Sequence, residues 1–451
     1  MKSIKFIFII YLIFLFNIVL FCEEEYYVNP VGDFVKYGDV ADPCVLKYED
    51  KYYLYATSWA SHTWGFKVWE SKDLVNWVDK GKAFSRYDEG NDWGQKDFWA
   101  PEVVFYEGDF YMVYSARAID GKLRIALAKS SSPLGPFKNI KAPLLDEDIV
   151  CIDGHIFIDD DGSTYLFYVK DCSENIVGGR HVSQIYVQGL NLRYRLVYGE
   201  PVLAATPSQP WELQSGDYIW NEGPYVVKHN GIYYLMYSGN AFFMAEYAIG
   251  YATATNPLGP YTKYEKNPVL KADLEIGVSG PGHHCVTTSP DGAELFIVYH
   301  SHIDPNYPSK GRTINIDRMY FDEKGVLNIK GPTRSPQPMP SGVSSSYIEG
   351  DEELEMQDIR DIKINGVFPN PFNDVLRINY EIIKDSFVKV RIYDSIGKIV
   401  KTIQVGNLSP GKYCIKWNGF NDGGNKVSSG VYFCEVCSVR YKDIEKIVYL
   451  K

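Results

Sequence analysis

The chain has 451 residues, is 45% hydrophobic and 15% aromatic, and carries a formal net charge of −11. That length suffices for two or three domains and a large core. The acidic balance excludes nucleic acid and anionic membrane surfaces as natural partners, since both are held by clustered Lys and Arg, and leaves a neutral ligand as the expectation. The 36 Tyr and 9 Trp suit a surface that stacks on flat ligands, although tyrosine in half-buried strands accounts for much of the load.

The N-terminus reads as an export signal over residues 1–22. Lys2 and Lys5 precede a run at 6–21 that is apolar except for Tyr11 and Asn17, and "CEEE" follows. The run is short for a membrane span, so no transmembrane segment is expected. Cleavage after this stretch is the primary expectation. Lipidation of Cys22 is the alternative, with bulky Phe21 unfavourable before it. Either outcome places the mature chain outside the cytoplasm, secreted or on the cell surface.

One unit then recurs five times. "KYYLYATS", "DFYMVYSA", "STYLFYVK", "GIYYLMYS" and "AELFIVYH" align on Tyr55, Tyr114, Tyr168, Tyr237 and Tyr299, which lie 59, 54, 69 and 62 residues apart. A preceding strand and turn accompany each copy, with hairpin chemistry at Asn230-Gly231 and Asp291-Gly292. "IALAKSSSPLGPF" and "IGYATATNPLGPY" supply a third strand in two copies, and "FKVWESKDLVNW" is their relative. Strand-rich units without helical periodicity predict an all-β, five-bladed propeller over residues 26–340.

The first strand of each unit begins with a polar residue: Asp42, Glu102, Asp153, Glu222 and His283. The innermost strand of a blade lines the propeller axis, so these five are expected to converge on one face. By the period of two, Cys44, Cys151 and Cys285 are expected on the axis-facing side as small buried thiols. No paired C-x-x-C metal pattern is present.

Carboxylates gathered in a dry place cannot all ionise, so their pKa values spread apart, as glycoside hydrolysis requires. Glu222 is the candidate acid: it reaches one methylene further than Asp, and Trp220 and Pro224 flank it. Asp42 is the candidate base. Asp153, with Gly154 leaving room beside it, is the candidate modulator of the acid's pKa.

These residues carry a resemblance. "ADP", "WAPEV", "IDGHIFIDDDG", "NEGPYVVKHNGIYYLMYS" and "GPGHHCVTTSPDG" resemble glycoside hydrolase family 43. The resemblance implies a five-bladed propeller and an inverting enzyme acting on arabinose- or xylose-containing plant glycans, of the α-L-arabinofuranosidase or β-xylosidase type. It implies the same roles for Asp42, Asp153 and Glu222, with carboxyls about 6.5–9.5 Å apart. It assigns Glu102 no catalytic role, so Glu102 is expected to be structural. His283 sits where the family often has an axial histidine that binds metal or water. No cofactor is required, and a structural calcium on the axis, touched by His283, is an expectation. Trp99 as stacking platform and Arg312 near the sugar hydroxyls are the further substrate-binding candidates, with His283. Trp59, Trp64 and Trp93 are loop residues for outer subsites. Alternatives are an endo-arabinanase of the same family, a retaining fructan-type hydrolase, and a non-catalytic glycan-binding propeller.

After "PTRSPQPMPSG" an acidic stretch at 341–362 reads as a linker. Alternating strands then predict a small immunoglobulin-like β-sandwich over 363–451. "FPNPFND", "IYDSIGKIV" and the final "KIVYLK" resemble type IX secretion sorting domains and, equally, the immunoglobulin-like fold of flagellar hook-capping proteins. That implies export or cell-surface attachment. A carbohydrate-binding module is the competing reading, with Trp417 nearly the sole aromatic for a platform. Cys434 and Cys437 are expected on opposite faces of one strand.

Overall fold

The computed structural model describes residues 25–58, 64–343, 362–383, 386–395, 397–438 and 442–451. The expected export signal, Trp59 and most of the acidic linker lie outside the described residues. Five antiparallel sheets follow one another, each starting with its inner strand: Val40–Tyr48, Lys96–Tyr106, Cys151–Ile158, Tyr218–His229 and Gly282–Thr288. The second strands are Lys51–Ser58, Asp109–Arg117, Thr164–Lys170, Ile232–Gly239 and Leu295–His302. Each sheet is completed by a third and fourth strand, so the chain builds five blades. In the third blade Arg180–Asn191 also pairs in parallel with the start of Tyr218–His229, joining blades three and four along one rim.

The repeated tyrosines explain the blade. Tyr55, Tyr114, Tyr168, Tyr237 and Tyr299 each sit in the second strand with no exposed surface. A buried phenol needs a partner for its hydroxyl. Tyr114, Tyr168, Tyr237 and Tyr299 find Asn139, Gln188, Glu212 and Asp317 at 2.7–2.9 Å, and Tyr55 finds the Pro133 carbonyl. Apolar residues of successive blades meet in separate clusters, such as Tyr55, Phe66, Phe84, Phe98 and Tyr114 between the first two.

The ring is closed by its ends. Tyr26–Tyr27 pairs antiparallel with Gln337–Pro338. Asn29 then grips the fifth blade twice, donating to the Ile316 carbonyl at 2.7 Å and accepting from its N–H at 2.9 Å.

The C-terminal strands form a sandwich. Ile362–Phe368, Leu376–Ile382 and Gly411–Trp417 make one sheet; Ser386–Asp394, Ile399–Leu408, Gly430–Cys437 and Lys442–Tyr449 make the other. Ile378, Tyr380, Val390, Ile392, Cys434 and Ile447 fill the space between them. Trp417 lies in that core at 1% exposure, with its indole N–H on the Phe420 carbonyl, so it offers no platform to a glycan. Cys434 is fully buried and Cys437 half-buried, on opposite faces of their strand.

Candidate active site

Every inner strand breaks its pairing register near its start, between Ala41 and Cys44, Trp99 and Glu102, Ile152 and His155, Glu222 and Tyr225, and Gly282 and His284, and Lys96–Tyr106 does so a second time between Lys96 and Trp99. Each of the five aligned breaks contains one residue in the left-handed region: Asp42 (φ 51°), Ala100 (44°), Asp153 (55°), Gly223 (54°) and His283 (40°). A bulge re-aims the side chains around it, and four non-glycine residues in this conformation are strain held at one place. Only Gly223 has a steric need for glycine there, because a Cβ would stand 3.1 Å from the His283 ring.

This corrects the expected fivefold equivalence. Asp42, Asp153 and His283 share the bulge position, but Glu222 precedes it by one residue and Glu102 follows it by two. The bulge also shifts the period of two. Cys44 and Cys285 stay beside the axis, whereas Cys151, placed before its bulge, packs with Ile125, Leu127 and Tyr168 between blades two and three. A Cβ at Gly154 would meet Ile125 and Val113 at 3.3–3.4 Å, so this glycine is a tight packing point against blade two.

The left-handed backbone is held from the second strands. Thr57 accepts from the Ala100 N–H, Ser115 from that of Asp153, Ser238 from that of His283, and His300 Nδ1 from that of Asp42, all at 2.8–3.2 Å. For Gly223 the acceptor is the Asp153 carboxylate itself, at 3.0 Å. None of these caps was foreseen, although the sequence carries a signal for them. Ser115, Ser238 and His300 each follow an aligned tyrosine in an otherwise apolar strand.

The three carboxyls now lie together, exposed by 9, 7 and 8% for Asp42, Asp153 and Glu222. Burial raises the pKa of each. At Asp42 that rise is outweighed by Arg312 (Nη1 at 3.2 Å) and then His283 (3.5 Å), which hold it well below the ordinary carboxylate value. Asp153 has only His283, at 3.8 Å, and the Gly223 N–H against burial and Asp42, and is raised to about 6. Among the described residues no cationic group forms an ion pair with Glu222. Burial, then Asp153, push it well above its ordinary value with a smaller push from Asp42, and the 2.8 Å hydrogen bond from Tyr247 opposes them only in part. Tyr247 stacks on His300, whose burial keeps it neutral with its pKa lowered to about 4.

The remaining candidates are placed as follows. Arg312 is buried, with Nε and Nη2 on Asp39 at 3.0 and 2.9 Å and Nη1 on Asp42, so each of its three nitrogens has a carboxylate partner. His283 turns Nδ1 between Asp42 and Asp153. Trp99 is half-buried against the cluster between blades three and four, with the Arg117 guanidinium 5.8 Å from its ring. Glu102 faces the axis one level below the acids, bonded to His155 at 2.8–2.9 Å and to the Ile156 N–H at 2.9 Å.

An ionised acid beside a protonated one is the pair that glycoside hydrolysis uses. The family model for glycosyl hydrolases family 43 matches residues 27–327. The chain belongs to that family. A FlgD Ig-like domain matches residues 383–440. Among relatives of this family 43 chain, a β-D-galactofuranosidase of Aspergillus niger is 28% identical over 64% of the chain and 82% of its own length. A xylosidase/arabinosidase of Butyrivibrio fibrisolvens is 27% identical over 66% of the chain and 55% of its own length. The crystal structure of a thermostable family-43 glycoside hydrolase is 58% identical, with a TM-score of 0.67, over 70% of the chain and 99% of that structure.

Proposed function

We propose that this glycoside hydrolase is an exported, inverting enzyme that releases arabinofuranosyl or xylosyl units from plant polysaccharides or oligosaccharides. The observation that carries it is the unlike surroundings of two buried carboxyls in one cluster: Asp42 faces the Arg312 guanidinium at 3.2 Å, and Glu222 faces the Tyr247 hydroxyl at 2.8 Å. Asp42, kept ionised by Arg312, takes a proton from water as the water oxygen bonds the anomeric carbon. Glu222 gives its proton to the glycosidic oxygen as the bond to the leaving group breaks. Asp153 holds Glu222 protonated by its charge and fixes the Gly223 backbone beside it. Turnover ends with Asp42 protonated and Glu222 ionised, and solvent restores both.

The sugar class rests on the family and on relatives named for xylose and arabinose. Export rests on the N-terminal signal pattern, and surface attachment on the FlgD-like domain. For an axial calcium ion, His284 fits better than His283. Its ring is buried and neutral, with its pKa lowered to about 3, and both its nitrogens lack partners in a cavity of about 20 Å³. No group of three or more His, Cys, Asp or Glu suited to a metal occurs among the described residues, and a cavity of this size holds about one water, so the lining does not supply the oxygen shell calcium prefers.

The test is a screen with aryl arabinofuranoside, aryl xyloside and linear arabinan, with the product anomer followed by NMR. Inverted product from a pentoside is expected. A retained anomer would exclude the mechanism, and binding without product from every pentoside would favour a glycan-binding propeller.

A further inference from the structure

One outer face of the C-terminal sandwich is buried where a free sheet would meet solvent. Along Ser386–Asp394 and Gly430–Cys437, the side chains of Val390, Ile392, Tyr432, Cys434 and Val436 fill the sandwich core. By the period of two, Arg391, Tyr393, Phe433 and Glu435 point the other way, with Arg391 opposite Glu435 and Tyr393 opposite Phe433. A sheet face turned to water carries exposed, mostly polar residues. Here Tyr393, Phe433 and Glu435 are 4, 5 and 5% exposed. The Tyr393 hydroxyl donates to Glu435 at 2.9 Å, which satisfies the acid on this covered face.

The propeller covers that face at its seam. Tyr26 meets Phe433 edge-on, with ring centroids 4.8 Å apart, and Tyr26 belongs to the two-residue ladder with Gln337–Pro338 that closes the ring. A second contact falls two residues before that ladder, at Ser335. Gly397 (φ 82°) stands in the turn between Ser386–Asp394 and Ile399–Leu408, and a Cβ there would overlap the Ser335 side chain. Asp394 braces this turn: its carbonyl accepts from the Gly397 N–H at 3.0 Å and its carboxylate from that of Lys398 at 2.9 Å. Glycine is thus needed twice, for the turn and for the contact. Beside these points a cleft of about 770 Å³ separates Arg391, Tyr393 and Ile399 from Leu274, Ile276 and Pro332. The contacts that bridge the two domains, at Phe433 and at Gly397, both land on the seam.

We propose that the C-terminal sandwich is a clamp on the propeller seam, docked through Phe433 and the Gly397 turn so that it holds the two ends of the ring together. A ladder only two residues long opens at little cost in hydrogen bonds. Tyr26 lies on the N-terminal strand of that ladder and Ser335 just before the C-terminal one, so one rigid domain grips both ends. This role is distinct from surface attachment and from the glycosidase reading, and requires neither.

Hydrogen exchange of the full chain tests this, read by mass spectrometry on peptides covering Tyr26–Tyr27 and residues 337–339. The core strand Leu376–Ile382 serves as the control for a folded sandwich. The variants are Phe433→Ala and Gly397→Val, since neither residue takes part in the seam's own hydrogen bonds. Each is expected to speed exchange at the seam by about three- to tenfold, the size an aromatic contact supplies, while Leu376–Ile382 stays protected. Phe433→Tyr keeps the ring and should exchange as the parent does. Unchanged seam exchange in both variants, with the core strand protected, overturns the proposal and makes the sandwich a tethered passenger. Where either substitution also unprotects Leu376–Ile382, Phe433→Leu, a milder loss of the ring, decides by the same two outcomes.

Discussion

Two layers of side chains, two residues apart on the same five strands, behave in opposite ways. The lower layer is Cys44, Glu102, His155, Tyr225 and Cys285, and it closes a ring of hydrogen bonds from each blade to the next. Cys44 accepts from the Val103 N–H, Glu102 from Ile156, His155 from Val226, and Cys285 from Val45, while Tyr225 donates to the Val286 carbonyl. The upper layer is Asp42, Asp153 and His283, with Glu222 beside it, and no such ring exists there. Its carboxyls face one another, and three left-handed non-glycine residues support them. The same frame thus yields stability where neighbours satisfy each other and reactivity where like charges do not.

The largest effect should come from the upper layer. Asp42→Ala is expected to lower kcat by roughly 10²–10⁴-fold on aryl and natural substrates alike, since water attack needs the base whatever the leaving group. Full activity in that variant would remove Asp42 from the chemistry. Asp153→Asn should reduce activity less and change its pH dependence. With the neighbouring charge gone, the pKa of Glu222 falls, so the alkaline limb of the kcat/KM profile moves to lower pH. An unmoved limb would show that Asp153 does not set the acid's protonation.

The lower layer should answer in stability. Glu102→Ala leaves the Ile156 N–H and His155 without their acceptor and is expected to cost about 1–3 kcal/mol of stability, seen in denaturant melts. Aryl glycoside turnover at a temperature where the variant is folded should fall far less than in Asp42→Ala. Equal losses in both would erase the distinction between the layers. The smallest effect is a pH dependence of melting. His284 and His300 are neutral when folded, with values of about 3 and about 4 against an ordinary 6.5. The unfolded chain therefore binds more protons below pH 6.5, and stability should be full above that value and decline as pH falls toward 4. Replacing His300 with Gln should flatten part of the decline.

Much of this was legible in the repeat. Five tyrosine strands at a spacing of about 60 residues gave the blades, because a buried phenol with one fixed partner is a strong local requirement. The three carboxyls were legible because each heads an inner strand. Their register was not: a bulge with a positive φ follows from packing across the ring, and no local pattern marks it. That is why the strand starts alone place Glu102 at the level of the acids and Cys151 on the axis. Asp39, Tyr247 and His300 were missed for a related reason. They come from other strands and loops, and only closure of the propeller brings them onto Asp42 and Glu222.

The central claim is that Glu222 is the proton donor, kept protonated by burial and by Asp153. Its most direct test is the leaving-group dependence of Glu222→Ala, with kcat/KM measured on a pentosyl oligosaccharide and on an aryl pentoside whose phenol departs without protonation. The expected result is a loss of roughly 10²–10⁴-fold on the oligosaccharide and a far smaller one on the activated aryl substrate. Equal losses on the two would contradict the assignment.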